Sequence, residues 1–274
     1  MDLRDAVVVI TGAARGIGRV IAEAFVARGA KVALADVLVD ELAATANELR
    51  AAGGTVLPVV TEVTDTGQVE ALIDRAEAEL GPLDVQINNA GTFSYIGPAW
   101  EAPQDKWFRD VRVNLYGGFL CCRAAVRRMV PRGRGYVINM VSSGGVGDPH
   151  PYSTSYASSK AGLMRLTEGL AKECEPHGIK VFAVAPPAVE SEMTKFILQD
   201  AGGRKWRPGF GEMAAKGGFH PPGIVAQLCV DLVSGRADRL SGRYFRAPID
   251  FGATVARTEE ILEGDLLTLR IRKL

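Results

Sequence analysis

Tyr156 and Lys160 have the residue types and the spacing to move a proton together. The segment Tyr156-Ala157-Ser158-Ser159-Lys160 opens a stretch with a helical pattern, and residues four positions apart lie on one face of a helix. A nearby ammonium stabilises a phenolate, so we expect Lys160 to lower the pKa of the Tyr156 phenol from its usual value of about 10. The phenol can then act as a general acid or base nearer neutral pH. By itself the pair is weak evidence, because this spacing also occurs on ordinary exposed helices.

Two serines stand where a strand is predicted to end. Ser142 and Ser143 follow the apolar run Tyr136–Val141, and open α/β sheets bind ligands at the carboxyl edge of their strands. Ser143 precedes Tyr156 by 13 residues, and its hydroxyl can bind a substrate oxygen and hold it against the tyrosine. Ser142 is the competing candidate. Both residues could instead be ordinary polar turn formers.

Asparagines supply further polar groups near the same edge. Asn88-Asn89-Ala90-Gly91 ends another predicted strand, and its small residues and amides suit close packing beside a cofactor. Asn114 falls inside a predicted long helix, Asp105–Val130. A mid-helix asparagine is unfavourable unless its side chain finds partners, so we expect Asn114 to bind backbone groups and a water near Lys160.

A glycine-rich turn after the first predicted strand is suited to binding a dinucleotide. It reads Thr11-Gly12-Ala13-Ala14-Arg15-Gly16-Ile17-Gly18, and such glycines let backbone amides approach a pyrophosphate at a helix N-terminus. Close strand–helix packing would explain the same glycines without a ligand. Asp36 ends the second predicted strand; its carboxylate can accept ribose hydroxyls and repels a 2′-phosphate, which favours NAD over NADP. Two alternatives stay open: Arg15 could reach a 2′-phosphate, and Asp36 could merely cap a turn.

Predicted strands and helices alternate along the chain. Strands are predicted at Val7–Ile10, Lys31–Asp36, Val56–Val60, Leu83–Asn88, Tyr136–Val141, Ile179–Ala185 and Ser241–Phe245. Helices are predicted at Ile17–Arg28, Asp40–Ala52, Thr66–Leu80, Asp105–Val130, Ser155–His177 and Pro222–Ser234. Near-continuous apolar strands alternating with helices predict an α/β fold, a doubly wound parallel sheet in three α/β/α layers. Even spacing without a linker indicates a single domain over residues 1–274.

Two segments depart from this alternation. Residues 190–222 are rich in glycine and proline yet carry scattered large apolar side chains, and a long loop in a compact domain is often functional. We expect a lid that closes over something apolar. The C-terminal extension, residues 254–274, ends in alternating polar and apolar residues. It is expected to add an edge strand or to pack on a partner subunit.

Composition excludes more partners than it names. The chain has 274 residues, 32 Lys+Arg against 32 Asp+Glu, and 47% hydrophobic residues, which is typical of a globular domain with no general attraction to nucleic acid or anionic membrane. Its four cysteines and three histidines lack metal-ligand or redox spacing, so we expect no metal and a reducing compartment. Without a signal peptide or a bilayer-length apolar run, the expected location is the cytoplasm.

Together these motifs resemble the short-chain dehydrogenase/reductase family, which has a Rossmann-type fold, over roughly residues 5–250. The resemblance rests on Thr11–Gly18, Asp36, Asn88–Gly91, Asn114, Ser143, Tyr156 and Lys160. It implies that Tyr156 is the general acid/base and that Lys160 lowers its pKa and binds the nicotinamide ribose. It also implies that Ser143 orients the substrate oxygen and that Asn114 supports a proton-relay water.

The resemblance further implies a set of cofactor-binding residues. These are Gly12, Arg15, Gly16, Ile17, Gly18, Asp36, Glu62, Val63, Asn89, Ala90, Gly91, Tyr156, Lys160, Pro186, Val189 and Ser191. Glu62 stands where the family commonly has aspartate, which contacts the adenine. Pro186-Pro187 replaces the usual Pro-Gly, so this loop beside the nicotinamide is stiffer and lacks one amide donor. Ser191 stands where threonine is usual.

The expected function is NAD-dependent hydride transfer between nicotinamide and a secondary alcohol or ketone, apolar or cyclic in view of the lid. The alternatives are an NAD-binding sensor or scaffold protein without turnover, and a reductase that prefers NADP. Sugar-nucleotide epimerisation is disfavoured, because it generally needs a larger substrate domain and a different glycine spacing. The family resemblance also implies a homotetramer, with a dimer as the alternative.

Overall fold

Seven parallel strands form one continuous sheet. The computed structural model describes residues 1–271. Its strands are β1 Val7–Thr11, β2 Lys31–Asp36, β3 Thr55–Val60, β4 Leu83–Asn88, β5 Gly135–Met140, β6 Ile179–Ala185 and β7 Tyr244–Arg246. They lie in the order β3-β2-β1-β4-β5-β6-β7, all pairs being parallel. The order reverses between β1 and β4, the position at which doubly wound sheets open a ligand crevice.

Thirteen α-helices over residues 1–271 connect and cover these strands. They are α1 Gly16–Val26, α2 Val39–Ala51, α3 Thr66–Leu80, α4 Gln104–Val111, α5 Gly118–Met129, α6 Ser143–Val146, α7 Thr154–Cys174, α8 Glu192–Gln199, α9 Ala201–Trp206, α10 Pro208–Ala215, α11 Gly223–Leu232, α12 Phe251–Ala256 and α13 Thr258–Glu263. The predicted α/β fold, with a doubly wound parallel sheet between two helical layers, is confirmed. None of these helices is both long and apolar enough to cross a membrane.

Each strand buries both of its faces, which explains the continuous apolar runs. In β1, Val8 and Ile10 point into the core beneath α1, α2 and α11, whereas Val7 and Val9 point into the core beneath α3 and α5. Successive side chains of a strand alternate between faces. Because helices cover both sides, a polar residue on either face would lose its water, and burial of each large apolar side chain contributes about 1.5–3 kcal/mol.

The predicted long helix Asp105–Val130 is interrupted by one π-helical segment, Arg112–Gly117. A β-carbon on Gly117 would lie 2.8 Å from Val63 Cγ2, and one on Gly118 would lie 2.9 Å from Leu163 Cδ1. The two glycines therefore let this irregular turn pack closely between the loop after β3 and helix α7. Such wide turns are rare and are frequently found at functional sites.

The end of the chain folds back along its own sheet edge. The Tyr244 backbone N–H in β7 donates to the Leu267 carbonyl at 2.9 Å, and Glu168 of α7 accepts from Leu269 N at 2.9 Å and from Arg270 Nη1 at 3.0 Å. The predicted edge strand does not form in residues 254–271, because two short helices and turns occupy that stretch. Residues 272–274 of the predicted extension lie outside the described residues.

Candidate active site

Helix α7 places Tyr156 and Lys160 on one face, as their spacing predicts. Lys160 is buried, and its Nζ lies 5.9 Å from the centroid of the Tyr156 ring. The same Nζ donates to the Met140 carbonyl at 2.7 Å, at the end of β5. This bond fixes the lysine at the carboxyl edge of the sheet.

The pKa of Tyr156 differs from the sequence-based expectation. Burial raises it above its usual value, and the Asp110 carboxylate raises it further, whereas a hydrogen bond with Ser142 and the charge of Arg207 lower it. Lys160 is not among the groups that lower it. Burial lowers the pKa of the Lys160 ammonium itself to about 8. Ser142 and Arg207 are the neighbours that lower the pKa of the phenol, and the expected effect of Lys160 on it stays a prediction.

The two predicted serines occupy different positions. Ser142 lies at the N-cap of α6, where its Oγ accepts from Gly144 N at 3.2 Å, and it is the side chain that most lowers the pKa of the Tyr156 phenol. Ser143 begins the helix itself. The geometry therefore brings Ser142 to the phenol.

Asn114 lies in the π-helical segment and is buried. Its Oδ1 accepts from Thr92 N at 2.8 Å, and its Nδ2 donates to Thr92 O at 2.9 Å and to Ser159 Oγ at 3.0 Å. The expected backbone partners are thus present. They join the loop after β4 to α7, close to Lys160.

Asp110 is a site residue that sequence reasoning missed. Its carboxylate is fully buried and accepts from Thr92 Oγ1 at 3.0 Å, from Ser94 N at 2.9 Å and from Ser155 Oγ at 2.6 Å. Its position four residues before Asn114 was the available signal, since the two side chains share a helix face. A buried carboxylate without an ion pair needs such donors.

Two glycines of the first turn allow close packing, and a third adopts a positive φ beside open space. A β-carbon on Gly18 would lie 2.1 Å from Gly12 O, and one on Gly12 would lie 2.8 Å from Ala90 Cα. Asn89 Nδ2 donates to Gly12 O at 2.9 Å, so these two glycines serve close packing. Gly16 has φ +58° and nothing within 4 Å of its β-carbon position; there the turn leaves open space beside the N-terminus of α1.

Asp36, Arg15 and Glu62 surround the outer part of this space. Asp36 accepts from Ala14 N at 3.0 Å and from Val37 N at 2.8 Å, so it caps its turn and also presents a carboxylate at the end of β2. Arg15 is exposed, with Nη1 3.9 Å from Glu41 Oε1. Glu62 accepts from Thr64 N at 3.0 Å, beside the buried Val63.

The remaining predicted cofactor residues lie at two loops. Gly91 is exposed, and a β-carbon there would lie 3.1 Å from Asn114 Oδ1 and 3.4 Å from Lys160 Nζ. Pro186 follows β6, Val189 is buried, and Ser191 caps α8 by accepting from Thr194 N at 3.2 Å. Gly16 follows β1 and Gly91 follows β4, so both lie at the carboxyl edge of these neighbouring strands. Among residues 1–271, no group of three His, Cys, Asp or Glu side chains is placed to hold a metal ion.

The segment expected to be a lid consists of three short helices, α8 to α10, with aromatic side chains toward Tyr156. Phe93 stacks on the Tyr156 ring with centroids 4.8 Å apart and meets Phe196 of α8 at 6.3 Å. Tyr152 stacks on Trp206 of α9 at 4.4 Å. These rings, with Met193 and Phe210, form the apolar wall of the site.

The family profile described as short chain dehydrogenase matches residues 6–202. The chain belongs to the short-chain dehydrogenase/reductase family. This confirms the resemblance drawn from the motifs. Members of the family bind a nicotinamide cofactor, and its named relatives are dehydrogenases and reductases of CH–OH groups; the chain is accordingly an oxidoreductase of alcohols or ketones.

Relatives in this family differ in their named substrates. The cis-4-hydroxycyclohexanecarboxylate dehydrogenase of Sinomonas cyclohexanicum is 42% identical over 199 residues, covering 72% of this chain and 78% of that protein. The galactitol 2-dehydrogenase of Agrobacterium fabrum is 34% identical, covering 87% and 94%. The crystal structure of an actinorhodin polyketide ketoreductase variant with NADPH matches with a TM-score of 0.80 and 28% identity, covering 88% and 95%.

Proposed function

We propose that this short-chain oxidoreductase transfers hydride between NAD and a secondary alcohol or its ketone, with an apolar or cyclic substrate. The observation that carries the proposal is the convergence of Tyr156, Ser142 and Lys160 at the carboxyl edge of the sheet. A stack of aromatic rings covers this edge. The first glycine turn, beside the same edge, leaves space for a dinucleotide.

Each polar side chain has one task in this proposal. The bound nicotinamide supplies or accepts the hydride. Tyr156 takes the proton from the substrate hydroxyl during oxidation and returns it to the carbonyl oxygen during reduction. Ser142 holds that oxygen against the phenol, with Ser143 as the alternative. Lys160 binds the nicotinamide ribose, and Asn114 holds the loop after β4 and a relay water beside it.

Asp36 supports NAD as the preferred cofactor. Its carboxylate stands at the end of β2, where the fold would place the ribose of a bound adenosine. A 2′-phosphate there would meet like-charge repulsion. The ketoreductase with NADPH makes NADP the alternative, and the exposed Arg15 is the cation that would receive its phosphate.

The walls of the site favour a substrate with an apolar body. Phe93, Phe196 and Tyr152 present ring surfaces to the space beside Tyr156, and contact with such surfaces stabilises apolar groups by about 25 cal/mol per Å² buried. Apolar walls of this kind suit the cyclohexane ring in the name of one relative better than the galactitol in the name of the other. A polyol such as galactitol needs many hydrogen-bond partners.

We also propose a homotetramer in the cytoplasm, with a dimer as the alternative assembly. Phe108, Tyr116 and Phe119 are 56%, 44% and 42% exposed on α4, the π segment and α5, and clustered exposed rings mark association surfaces. The four cysteines are free and buried, as is usual in a reducing compartment.

Light scattering should give the mass of four chains, and a monomeric mass would contradict the assembly. Cell fractionation tests the location.

Tyr156→Phe removes the proton-transferring hydroxyl and keeps the ring that stacks on Phe93. We expect turnover to fall by about 100-fold or more, with NAD affinity nearly unchanged. NADH formation across secondary and cyclic alcohols, together with fluorescence titration of NAD, measures both. Tyr116→Phe is the matched control, because this tyrosine is exposed. Full activity in Tyr156→Phe contradicts the mechanism, and tight NAD binding without turnover of any alcohol or ketone by the native chain would favour the sensor or scaffold alternative.

Ser142→Ala and Ser143→Ala form a matched pair. The first variant loses the hydroxyl that lowers the pKa of Tyr156, so we expect its kcat to fall by about 100-fold, whereas Ser143→Ala keeps most of the activity. Thermal melting of both variants controls for the loss of the α6 cap. A larger loss of kcat in Ser143→Ala would assign the orienting role to Ser143.

Asp36→Asn removes the charge and keeps one acceptor oxygen for the turn. The ratio of kcat/KM for NADP to that for NAD should rise by about tenfold or more, because the repulsion of the 2′-phosphate is lost. Asp40→Asn, on the exposed start of α2, is the control. Faster turnover of the native chain with NADP than with NAD would refute the cofactor assignment.

A further inference from the structure

Arg207 brings a positive charge into the aromatic wall of the site. It lies between helices α9 and α10 and is half-buried. Its Cζ is 5.9 Å from the centroid of Phe93 and 5.7 Å from that of Phe210. The Phe93 ring also stacks on the Tyr156 ring, with centroids 4.8 Å apart. Phe93 therefore contacts the guanidinium and the Tyr156 ring.

No carboxylate balances this charge within residues 1–271. Among these residues, the guanidinium has one hydrogen-bond partner, His150 Nδ1, which lies 3.3 Å from Nη2. Among the same residues, Tyr156 is the one group whose charge raises the pKa of Arg207. Burial and the neighbouring guanidinium lower the pKa of His150, and Asp148 raises it by less. Because a guanidinium can only donate, His150 Nδ1 accepts this bond. A guanidinium has five N–H donors, which leaves donors for a ligand.

The guanidinium also faces an open cleft. This cleft, of about 470 Å³, is lined by Pro149–Pro151 on one side and by Trp206, Arg207, Phe210 and Met213 on the other. Arg207 thus joins the cleft to the ring stack over Tyr156. Phe93 contacts both Arg207 and Tyr156, so a molecule bound at the guanidinium lies one ring away from the phenol.

We propose that the substrate is a hydroxy or oxo acid with an apolar, ring-sized body, whose carboxylate is bound by Arg207 at the end away from the reacting carbon. This inference rests on the proposed function and adds the substrate class to it. A half-buried guanidinium among aromatic rings is costly without a counter-ion, and a carboxylate matches its planar fork with two parallel hydrogen bonds. A polyol would leave the charge unbalanced. The compound in the name of one relative, cis-4-hydroxycyclohexanecarboxylate, combines such a ring with a carboxylate.

Binding of unreactive ligands tests the proposal without turnover. Cyclohexanecarboxylate and cyclohexanecarboxamide have the same ring and differ in charge. We would titrate both by calorimetry, with and without NADH, into the native chain, Arg207→Met, Arg207→Lys and Arg204→Met. Arg204 is the matched control because it lies on α9 three residues before Arg207, is exposed, and donates to the Gln199 carbonyl. Circular dichroism melting checks that each variant folds.

The native chain and Arg204→Met should bind the acid about tenfold to a hundredfold more tightly than the amide. Arg207→Met should lose this preference while still binding the amide, and Arg207→Lys should keep part of it. Equal affinity for acid and amide in the native chain, binding of neither, or equal loss of both in Arg207→Met would overturn the proposal; the last result would make Arg207 a support for the loop 149–151. A preserved acid preference without turnover of any secondary alcohol or ketone, hydroxy and oxo acids included, would leave the carboxylate site standing and refute the proposed function. Turnover of neutral alcohols but of no hydroxy or oxo acid would overturn the substrate class and leave the proposed function standing.

Discussion

The buried carboxylate of Asp110 is the interaction on which the rest of the site depends. It gathers donors from Thr92, Ser94 and Ser155, and so joins the loop after β4 to the first turn of α7. Phe93 lies between two of these partners, and its ring is therefore held against Tyr156. Loss of one of these donors would leave a buried carboxylate oxygen short of a hydrogen bond, at a cost of about 1–3 kcal/mol, so Asp110 couples the position of the loop to that of the helix.

The same carboxylate opposes ionisation of the Tyr156 hydroxyl. Burial and the negative charge of Asp110 both raise the pKa of the phenol, and one pKa unit corresponds to about 1.4 kcal/mol. The offset comes from Ser142 and Arg207, which lower that pKa. Asp110 and the pair Ser142 and Arg207 thus act in opposite directions on the pKa of Tyr156. Arg207 belongs to the segment expected to be a lid.

Sequence alone could predict the sheet because its constraint is local. A strand covered on both faces must be apolar at every position, and such runs are visible in the printed residues. The strand bounds of β2, β4 and β6 follow from this pattern. The positions of Tyr156 and Lys160 on one helix face follow from their spacing of four residues. Other features depend on contacts between distant segments. The π segment around Asn114 follows from the packing of Gly117 and Gly118 against Val63 and Leu163. Similarly, the bond from Lys160 to Met140 depends on how α7 lies over β5.

Arg207 shows why the identity of the substrate is the hardest property to read from the sequence. Its neighbours Trp206 and Pro208 mark a loop, and nothing in that stretch indicates that a charge points toward Tyr156. The fold converts this surface-like sequence into a site element by stacking Tyr152 on Trp206. A carboxylate bound at Arg207 would cancel the charge that lowers the pKa of the phenol, and the tyrosine would then hold its proton more firmly. An acidic substrate in this site therefore favours the protonated form of Tyr156, which is the form that donates its proton when a carbonyl is reduced.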